Sequence, residues 1–303
     1  MKPLIVLTGP TAAGKTDLSI KLAKKINGAI ISADSIQVYK YMDIGTAKPL
    51  NDERSGIPHY MLDEYDPSEE ISVSDFSLKA ISYVELAFEQ NKIPIIAGGS
   101  GLYIDSIAYS NYEYDGLPVD HNLRRKLDAC CTNEELYTLL SKIDLDYLPY
   151  THINNRKRNI RAIEYCISTG KKMSDMASVR VPRFKDYIYI GLKVDRPVLY
   201  ERINTRVDKM IMDGLVDEVS VLYSRNKLSG TSKLAIGYKE VISYLNGECE
   251  LDDAIEKIKI NSRHYAKRQY TWFNRNQDIK WIDVTDKDSI PFAVQELLNG
   301  INK

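Results

Sequence analysis

Cysteine, histidine and tryptophan are scarce in this chain, with four Cys, four His and two Trp among 303 residues. Cys130, Cys131, Cys166 and Cys249 show no CxxC or other metal-ligand spacing, and adjacent Cys130-Cys131 is a poor start for a disulfide framework. His59, His121, His152 and His264 are too dispersed to suggest a metal cluster, so no zinc site is expected. With 16 Gly and 11 Pro, the composition argues against a collagenous or disordered chain. No apolar run reaches the roughly 18 residues of a transmembrane helix. The apolar stretch after Met1-Lys2-Pro3 stops at Gly9, short of a signal-peptide core of about 7–15 residues. These absences point to a reduced, cytoplasmic protein without a membrane segment. A charge surplus is missing too: 41 Lys+Arg against 42 Asp+Glu leave a net −1, which as a whole-chain sum counts against a nucleic-acid partner.

What is present is ordinary globular material, 44% hydrophobic and 27% charged, long enough for about two domains and a core that needs no staple. Strand and helix patterns alternate, as in α/β proteins with a largely parallel sheet. Leu4-Ile5-Val6-Leu7, Ala29-Ile30-Ile31-Ser32 and Ile93-Pro94-Ile95-Ile96-Ala97 read as buried strands, the last with a Pro that favours its first turn or an edge. Lys15–Ile26 and 74–90 read as helices between them. Residues 122–185 carry three helical patterns and no strand, and Tyr187–Leu192 returns as an alternating strand. Helical patterns then run to the end, over 197–212, 215–224, 236–245 and 252–274. The expected fold is α/β: a P-loop NTPase-like parallel sheet flanked by helices, with an α-helical insertion domain. The core spans 1–112 plus 186–303, and the insertion 113–185.

Gly9-Pro10-Thr11-Ala12-Ala13-Gly14-Lys15-Thr16 fits GxxxxGK[ST] between a strand and a helix. Glycines let backbone N–H groups converge on phosphate oxygens, the helix N-terminus adds partial positive charge, Lys15 adds a full one, and Thr16 can ligate Mg²⁺. Such a loop is common to nucleotide-binding and ATP-binding proteins, but it specifies a diphosphate or triphosphate, not ATP. The Walker-B acid expected of an ATPase is missing, because Ile93–Ala97 runs into Gly98-Gly99-Ser100-Gly101. Instead Asp34 follows the second strand. Since carboxyl ends of neighbouring parallel strands face the ligand crevice, Asp34 and Ser100 should approach the loop. Asp34 there could take a proton from an attacking nucleophile; equally, it could be a helix cap or turn residue.

Further segments accompany these: Ser32-Ala-Asp-Ser-Ile-Gln-Val-Tyr39, Asp43-Ile-Gly-Thr-Ala-Lys-Pro49, Pro58-His-Tyr-Met-Leu-Asp63, Ala97-Gly-Gly-Ser-Gly-Leu-Tyr103, Gly214-Leu-Val-Asp-Glu-Val219, Ala235-Ile-Gly-Tyr-Lys-Glu240 and Tyr265-Ala-Lys-Arg-Gln-Tyr-Thr-Trp-Phe273. With the P-loop, they closely resemble the bacterial tRNA dimethylallyltransferase (tRNA isopentenyltransferase) family, in register from residue 4 to about 275. The resemblance implies transfer of a dimethylallyl group from dimethylallyl diphosphate to N6 of adenosine 37 in the tRNA anticodon loop, with release of pyrophosphate and assistance from Mg²⁺. The loop from Gly9 to Thr16 would then cradle the donor diphosphate, with Thr16 near the metal. Asp34 would be general base to the adenine amine, and Ser35, Ile36 and Gln37 would help hold the flipped base. Ser100 stands where the family usually has Thr, keeping the hydroxyl.

Arg202 and Arg206, one helical turn apart, could clamp the leaving pyrophosphate; the alternative is a solvated basic face, and the resemblance favours Arg206. The family's tRNA-contacting segment matches Lys157, Arg158, Asn159, Ile160 and Arg161, less cleanly than the other motifs. Alone, such a charge run reads as a solvated helix. Local charge weighs for RNA: +7 over 151–185 and +5 over 256–275, offset by −7 over 43–75. A P-loop small-molecule kinase, an RNA-binding protein without catalysis, and a prenyltransferase acting on free adenine nucleotides are the competing readings. The expected partners are tRNA and dimethylallyl diphosphate, with a monomer as the default and no zinc.

Overall fold

The computed structural model describes residues 3–110, 120–177, 181–286 and 289–301. The expected boundary between 112 and 113 lies outside them. The chain divides into two compact units, Met1–Ala108 with Phe184–Lys303, and Tyr109–Arg183.

The first unit is built on six strands: β1 (Leu4–Thr8), β2 (Gly28–Ala33), β3 (His59–Tyr60), β4 (Ile93–Gly98), β5 (Tyr187–Lys193) and β6 (Lys280–Asp283). They pair in the order β3-β2-β4-β1-β5-β6, every pair parallel. The apolar runs that form β1 and β2 are buried along their whole length, as strands covered on both faces must be. The register sets Thr8 opposite Gly98 and Ala33 opposite Gly98, so the loops after β1, β2 and β4 leave the sheet side by side. A Cβ on Gly98 would sit 2.1 Å from the Ala33 carbonyl oxygen, so only glycine lets these chains come so close. Pro94 lies in an interior strand, yet β4 pairs with β1 only from Ile95 onward, so its missing N–H costs no bond there.

The helices of this unit are α1 (Lys15–Ile26), α2 (Val73–Glu89) and α3 (Gly101–Ala108), then α8 (Arg196–Met212), α9 (Leu215–Ser224), α10 (Gly230–Lys233), α11 (Tyr238–Leu245), α12 (Leu251–Phe273) and α13 (Ser289–Ile301). Leu18 and Leu22 of α1 meet Ile5, Leu7, Ile95, Ile190 and Leu192 of the sheet in one core. Each such side chain contributes about 1.5–3 kcal/mol when fully buried. Strand β6 departs from the expectation of helix to the end of the chain. Only Ile282 of its four residues is buried, so no alternation marks it; pairing with β5 makes it a strand.

The second unit holds α4 (His121–Cys130), α5 (Asn133–Ile143), a 3-10 turn at Leu145–Tyr150, α6 (Arg156–Thr169) and α7 (Met173–Ala177). Thr132 and Glu135 form the reciprocal cap that starts α5. Leu136 and Leu140 pack with Tyr147, Ile160 and Ile163 in a separate core. α/β architecture with a parallel sheet and a helical insertion is what the sequence pattern led us to expect.

Candidate active site

The loop between β1 and α1 turns through Gly14, whose φ of +92° marks the left-handed conformation and starts α1 at Lys15. Thr11, Ala12, Gly14, Lys15 and Thr16 line a cavity of about 350 Å³ with Asp34, Gln37, Gly99, Arg206, Tyr265 and Gln269. Gly9, Pro10 and Ala13 stand behind that wall. The Gly9 and Pro10 carbonyls accept from the Lys15 ammonium at 3.0 and 2.7 Å, and Ala13 is buried in the core. Burial, reinforced by Arg206 and opposed by Asp34, pushes the Lys15 pKa down to about 7. Arg206 is also pulled below its ordinary value by burial, with Asp34 opposing. Two basic groups held out of water, with the Asp34 carboxylate acting on both, make a site that favours phosphate.

A second cavity of about 430 Å³ adjoins the first. Thr11, Asp34, Arg206 and Tyr265 line both, so they form the wall where the two spaces meet. Much of the second space is apolar, with Ile36, Ile203, Val207, Met210, Ile236 and Ile258 along it. Ser35 also faces it.

Asp34 serves as turn residue and as site residue together. Its Oδ1 accepts the backbone N–H groups of Ile36 and Gln37 at 2.9 and 3.2 Å, an Asx-type turn. Its Oδ2 has no protein donor among the described residues. The Gln37 amide is taken up inside the protein, donating to the Thr46 and Ala47 carbonyls and accepting from the Ser32 hydroxyl. Arg206 donates to the same Thr46 carbonyl at 3.2 Å. Thr46 belongs to a segment held by Glu218, whose carboxylate accepts from the N–H groups of Asp43, Ile44 and Gly45 and from the Tyr238 hydroxyl. Four of the sequence motifs therefore meet in one hydrogen-bond cluster that braces Arg206.

Arg202 and Arg206 line one further cavity together with Ala12 of the loop. Arg202 donates to the Val284 and Thr285 carbonyls, at 3.2 and 2.7 Å, and lines neither of the first two cavities. One helical turn keeps them on a shared face, with the Arg202 guanidinium held by carbonyls just past β6. Ser100 is likewise set back, 8% exposed and absent from both cavity walls. Its Oγ accepts from the Ser35 N–H at 3.2 Å and lies 3.4 Å from the Tyr265 hydroxyl.

Sequence reasoning gave no site role to Tyr265 or Gln269, although both lie in a motif it singled out. Gln269 bridges the Thr11 N–H and the Gly99 carbonyl. Burial, and then the charge of Asp34, pushes the Tyr265 phenol up to about 12. Their spacing of four on α12 puts both on one helix face, a signal that could have found the pair.

In the second unit, α6 has an outward and an inward face. Lys157 and Arg158 are exposed, and Arg158 donates to the Tyr147 hydroxyl at 3.0 Å. Arg161 pairs with buried Glu164 at 2.8 Å, which also binds Arg124. Asn159 and Ile160 are corrections to the expected RNA contacts, because both side chains are buried. Asn159 accepts from the Thr151 hydroxyl and donates to the His152 and Ile153 carbonyls, tying down the start of α6.

Among the described residues, no group of three or more His, Cys, Asp or Glu could hold a metal ion, and no helix is long and apolar enough to cross a membrane.

The family model described as IPP transferase matches residues 37–277. The chain is 46% identical to the tRNA dimethylallyltransferase of Acetivibrio thermocellus, over 98% of this chain and 96% of that protein. Its structure is similar to that of a full-length tRNA isopentenylpyrophosphate transferase from Bacillus halodurans, with TM-score 0.75 and 39% identity over 100% and 97% of the two chains. A eukaryotic dimethylallyltransferase, solved acting on tRNA, matches with TM-score 0.83 and 32% identity over 95% of this chain and 75% of that one.

Proposed function

We infer the chemistry of this chain from its kinship and its site together: it belongs to the IPP transferase family. It is an enzyme that transfers a dimethylallyl group to tRNA. The finer reading is that dimethylallyl diphosphate is the donor and N6 of adenosine 37 the acceptor. One observation carries it: the Asp34 carboxylate and the Arg206 guanidinium stand on the wall between two adjoining cavities, the first of which is lined by Lys15 and Thr16 of the glycine-rich loop.

In this reading the diphosphate lies against Gly14, Lys15 and Thr16, where the first-turn N–H groups of α1 add to the Lys15 charge. The amine nitrogen N6 attacks C1 of the dimethylallyl group, and the C1–O bond breaks with its electron pair leaving on pyrophosphate. The extra proton on N6 passes to Asp34, whose Oδ2 is the oxygen not committed to the turn. An exocyclic amine is a weak nucleophile, so a positioned acceptor for its proton lowers the barrier. Arg206 sits where negative charge grows on the leaving group. The base must leave its stack to enter such a cavity, which is cheapest for a loop nucleotide.

Mg²⁺ fits the cradle in a limited way. Thr16 lines the first cavity, and no other described protein group engages its hydroxyl. Without an acidic cluster, the ion would depend on diphosphate oxygens and water, as Mg²⁺ at phosphates commonly does. When bound it would neutralise charge on the leaving pyrophosphate.

The tRNA-binding role falls to the helical insertion, through exposed Lys157 and Arg158 with Arg161 beside them. A cytoplasmic location suits an enzyme acting on tRNA. The deciding experiment incubates labelled dimethylallyl diphosphate with unmodified tRNA, with a tRNA carrying another base at position 37, and with AMP or ADP. Label should enter only the A37 tRNA. Equal labelling of free nucleotides, or ATP consumption without labelling, would contradict the reading.

A further inference from the structure

The motif that begins Ala97-Gly-Gly-Ser100 brings a hydroxyl close to the site, yet Ser100 lines neither cavity, and Tyr265 lines both. The two hydroxyls are 3.4 Å apart. Ser100 therefore stands behind Tyr265, and Tyr265 stands beside Asp34 at the wall the cavities share. We propose that the Tyr265 O–H donates to N1 of the target adenine while Asp34 accepts from its N6 amine, and that Ser100 is a positioning residue acting through Tyr265. This rests on the reading above that adenine is the acceptor.

The chemistry of the edge supports the pairing. Adenine presents a donor at N6 beside an acceptor at N1, whereas guanine presents an acceptor at O6 beside a donor at N1. A carboxylate only accepts, and a phenol can donate. An acceptor next to a donor thus matches adenine, and it sets like against like for guanine. A mismatch of that kind is costly in a desolvated site because the protein's own polar groups lose their partners.

The surroundings of Tyr265 favour the donor role. Burial and the charge of Asp34 keep the phenol protonated at neutral pH. The Ser100 oxygen already accepts the Ser35 N–H. Either hydroxyl can donate across the 3.4 Å between them; in the proposed arrangement Ser100 gives its proton to the Tyr265 oxygen rather than to the Ser35 hydroxyl 3.5 Å away, and the phenol proton points into the cavity. The ring is held by the Arg268 guanidinium 5.7 Å from its centroid. One turn further along α12, Gln269 is tied to Thr11 and Gly99, so the helix cannot slide against the site.

The test is a cycle that changes protein and base together. Full-length wild-type protein, Tyr265→Phe and Ser100→Ala are assayed on an anticodon stem-loop RNA carrying adenosine or 1-deazaadenosine at position 37. The deaza base keeps the N6 amine and replaces N1 by C–H. Tyr265→Phe should lower kcat/KM for the adenosine RNA roughly ten-fold, the worth of one such hydrogen bond, and leave the donor KM unchanged. On the deaza RNA the same substitution should cost almost nothing. Ser100→Ala should show a smaller loss with the same dependence on N1, so it decides the matter if Tyr265→Phe is unstable. Penalties that persist in full on the deaza RNA, or a raised donor KM in place of the loss, would overturn the proposal. Failure of the wild-type protein to modify the adenosine RNA would instead remove the acceptor reading, and the proposal with it.

Discussion

The side-chain oxygen of Gln269 accepts the backbone N–H of Thr11 at 2.8 Å, across 258 positions of sequence. The amide nitrogen of the same side chain donates to the Gly99 carbonyl at 2.9 Å. A Cβ on Gly99 would lie 2.1 Å from that nitrogen, so the contact needs glycine there. One side chain of α12 thereby fixes the phosphate cradle against the turn that carries Ser100. Gln269→Leu would strand both backbone groups, at a cost on the order of 2 kcal/mol. We expect a lower Tm and a raised donor KM, with tRNA affinity unchanged, in thermal melts and steady-state kinetics.

Asp34 closes a turn and, in the proposed reaction, takes the proton from N6; two substitutions separate these roles. Asn retains an oxygen for the Ile36 and Gln37 N–H groups, whereas Ala removes it. Both should lower kcat by about 10²–10⁴, the usual range for losing a general base. Only Asp34→Ala should also lower Tm, by roughly the worth of a lost cap. Single-turnover rates and melting curves report the two effects.

Lys15 predicts a proton uptake. In the free protein burial holds its pKa at about 7, and an adjacent diphosphate must raise it. Below that pH the lysine already carries its proton and binding takes up none. Above it, binding must recruit the proton, so affinity falls by up to about ten-fold per pH unit until the bound-state pKa is reached. Calorimetry at pH 8 in buffers of different ionisation enthalpy should show about one more proton taken up by wild type than by Lys15→Met. Equal uptake would exclude Lys15 as the titrating group.

Glu218 receives three backbone N–H groups and the Tyr238 hydroxyl, so its loss should be felt at a distance. Glu218→Ala should destabilise the protein by about 3 kcal/mol, since bonds to a charged acceptor are worth more than neutral ones. By releasing residues 43–46 it should also weaken the hold on Arg206. Denaturant titration and the KM for the donor would show both changes.

The two faces of α6 predict opposite phenotypes for adjacent residues. Arg158→Ala should weaken tRNA binding and reduce the salt dependence of log K by about one ion. Asn159→Ala should instead lower stability, because three hydrogen bonds at the start of α6 lose their partner. Filter binding across a salt series, set beside melting curves, tests the contrast.

The strand, glycine-rich loop and helix over residues 4–26 were legible from spacing alone, because they are consecutive in the chain. So was the approach of Asp34 and Ser100, since both follow strands of one parallel sheet. The partition of roles among them was not legible. That Arg202 donates to the Val284 and Thr285 carbonyls depends on β6, which no hydrophobic alternation marks. Whether Asn159 meets RNA or the core depends on which face of α6 packs on α5, and a charge count does not encode that face.

Local sequence sets the α/β alternation, the glycine-rich loop between a strand and a helix, and the segment charges that a whole-chain net of −1 conceals. These are properties of neighbours along the chain, where periodicity and backbone geometry act directly. Long-range packing alone brings Tyr265, and not Ser100, to the shared wall and lets Gln269 join the two sides of the site. Both depend on how deeply α12 packs against the β4 turn, and that depth is set by glycines that make room for side chains arriving from far along the sequence.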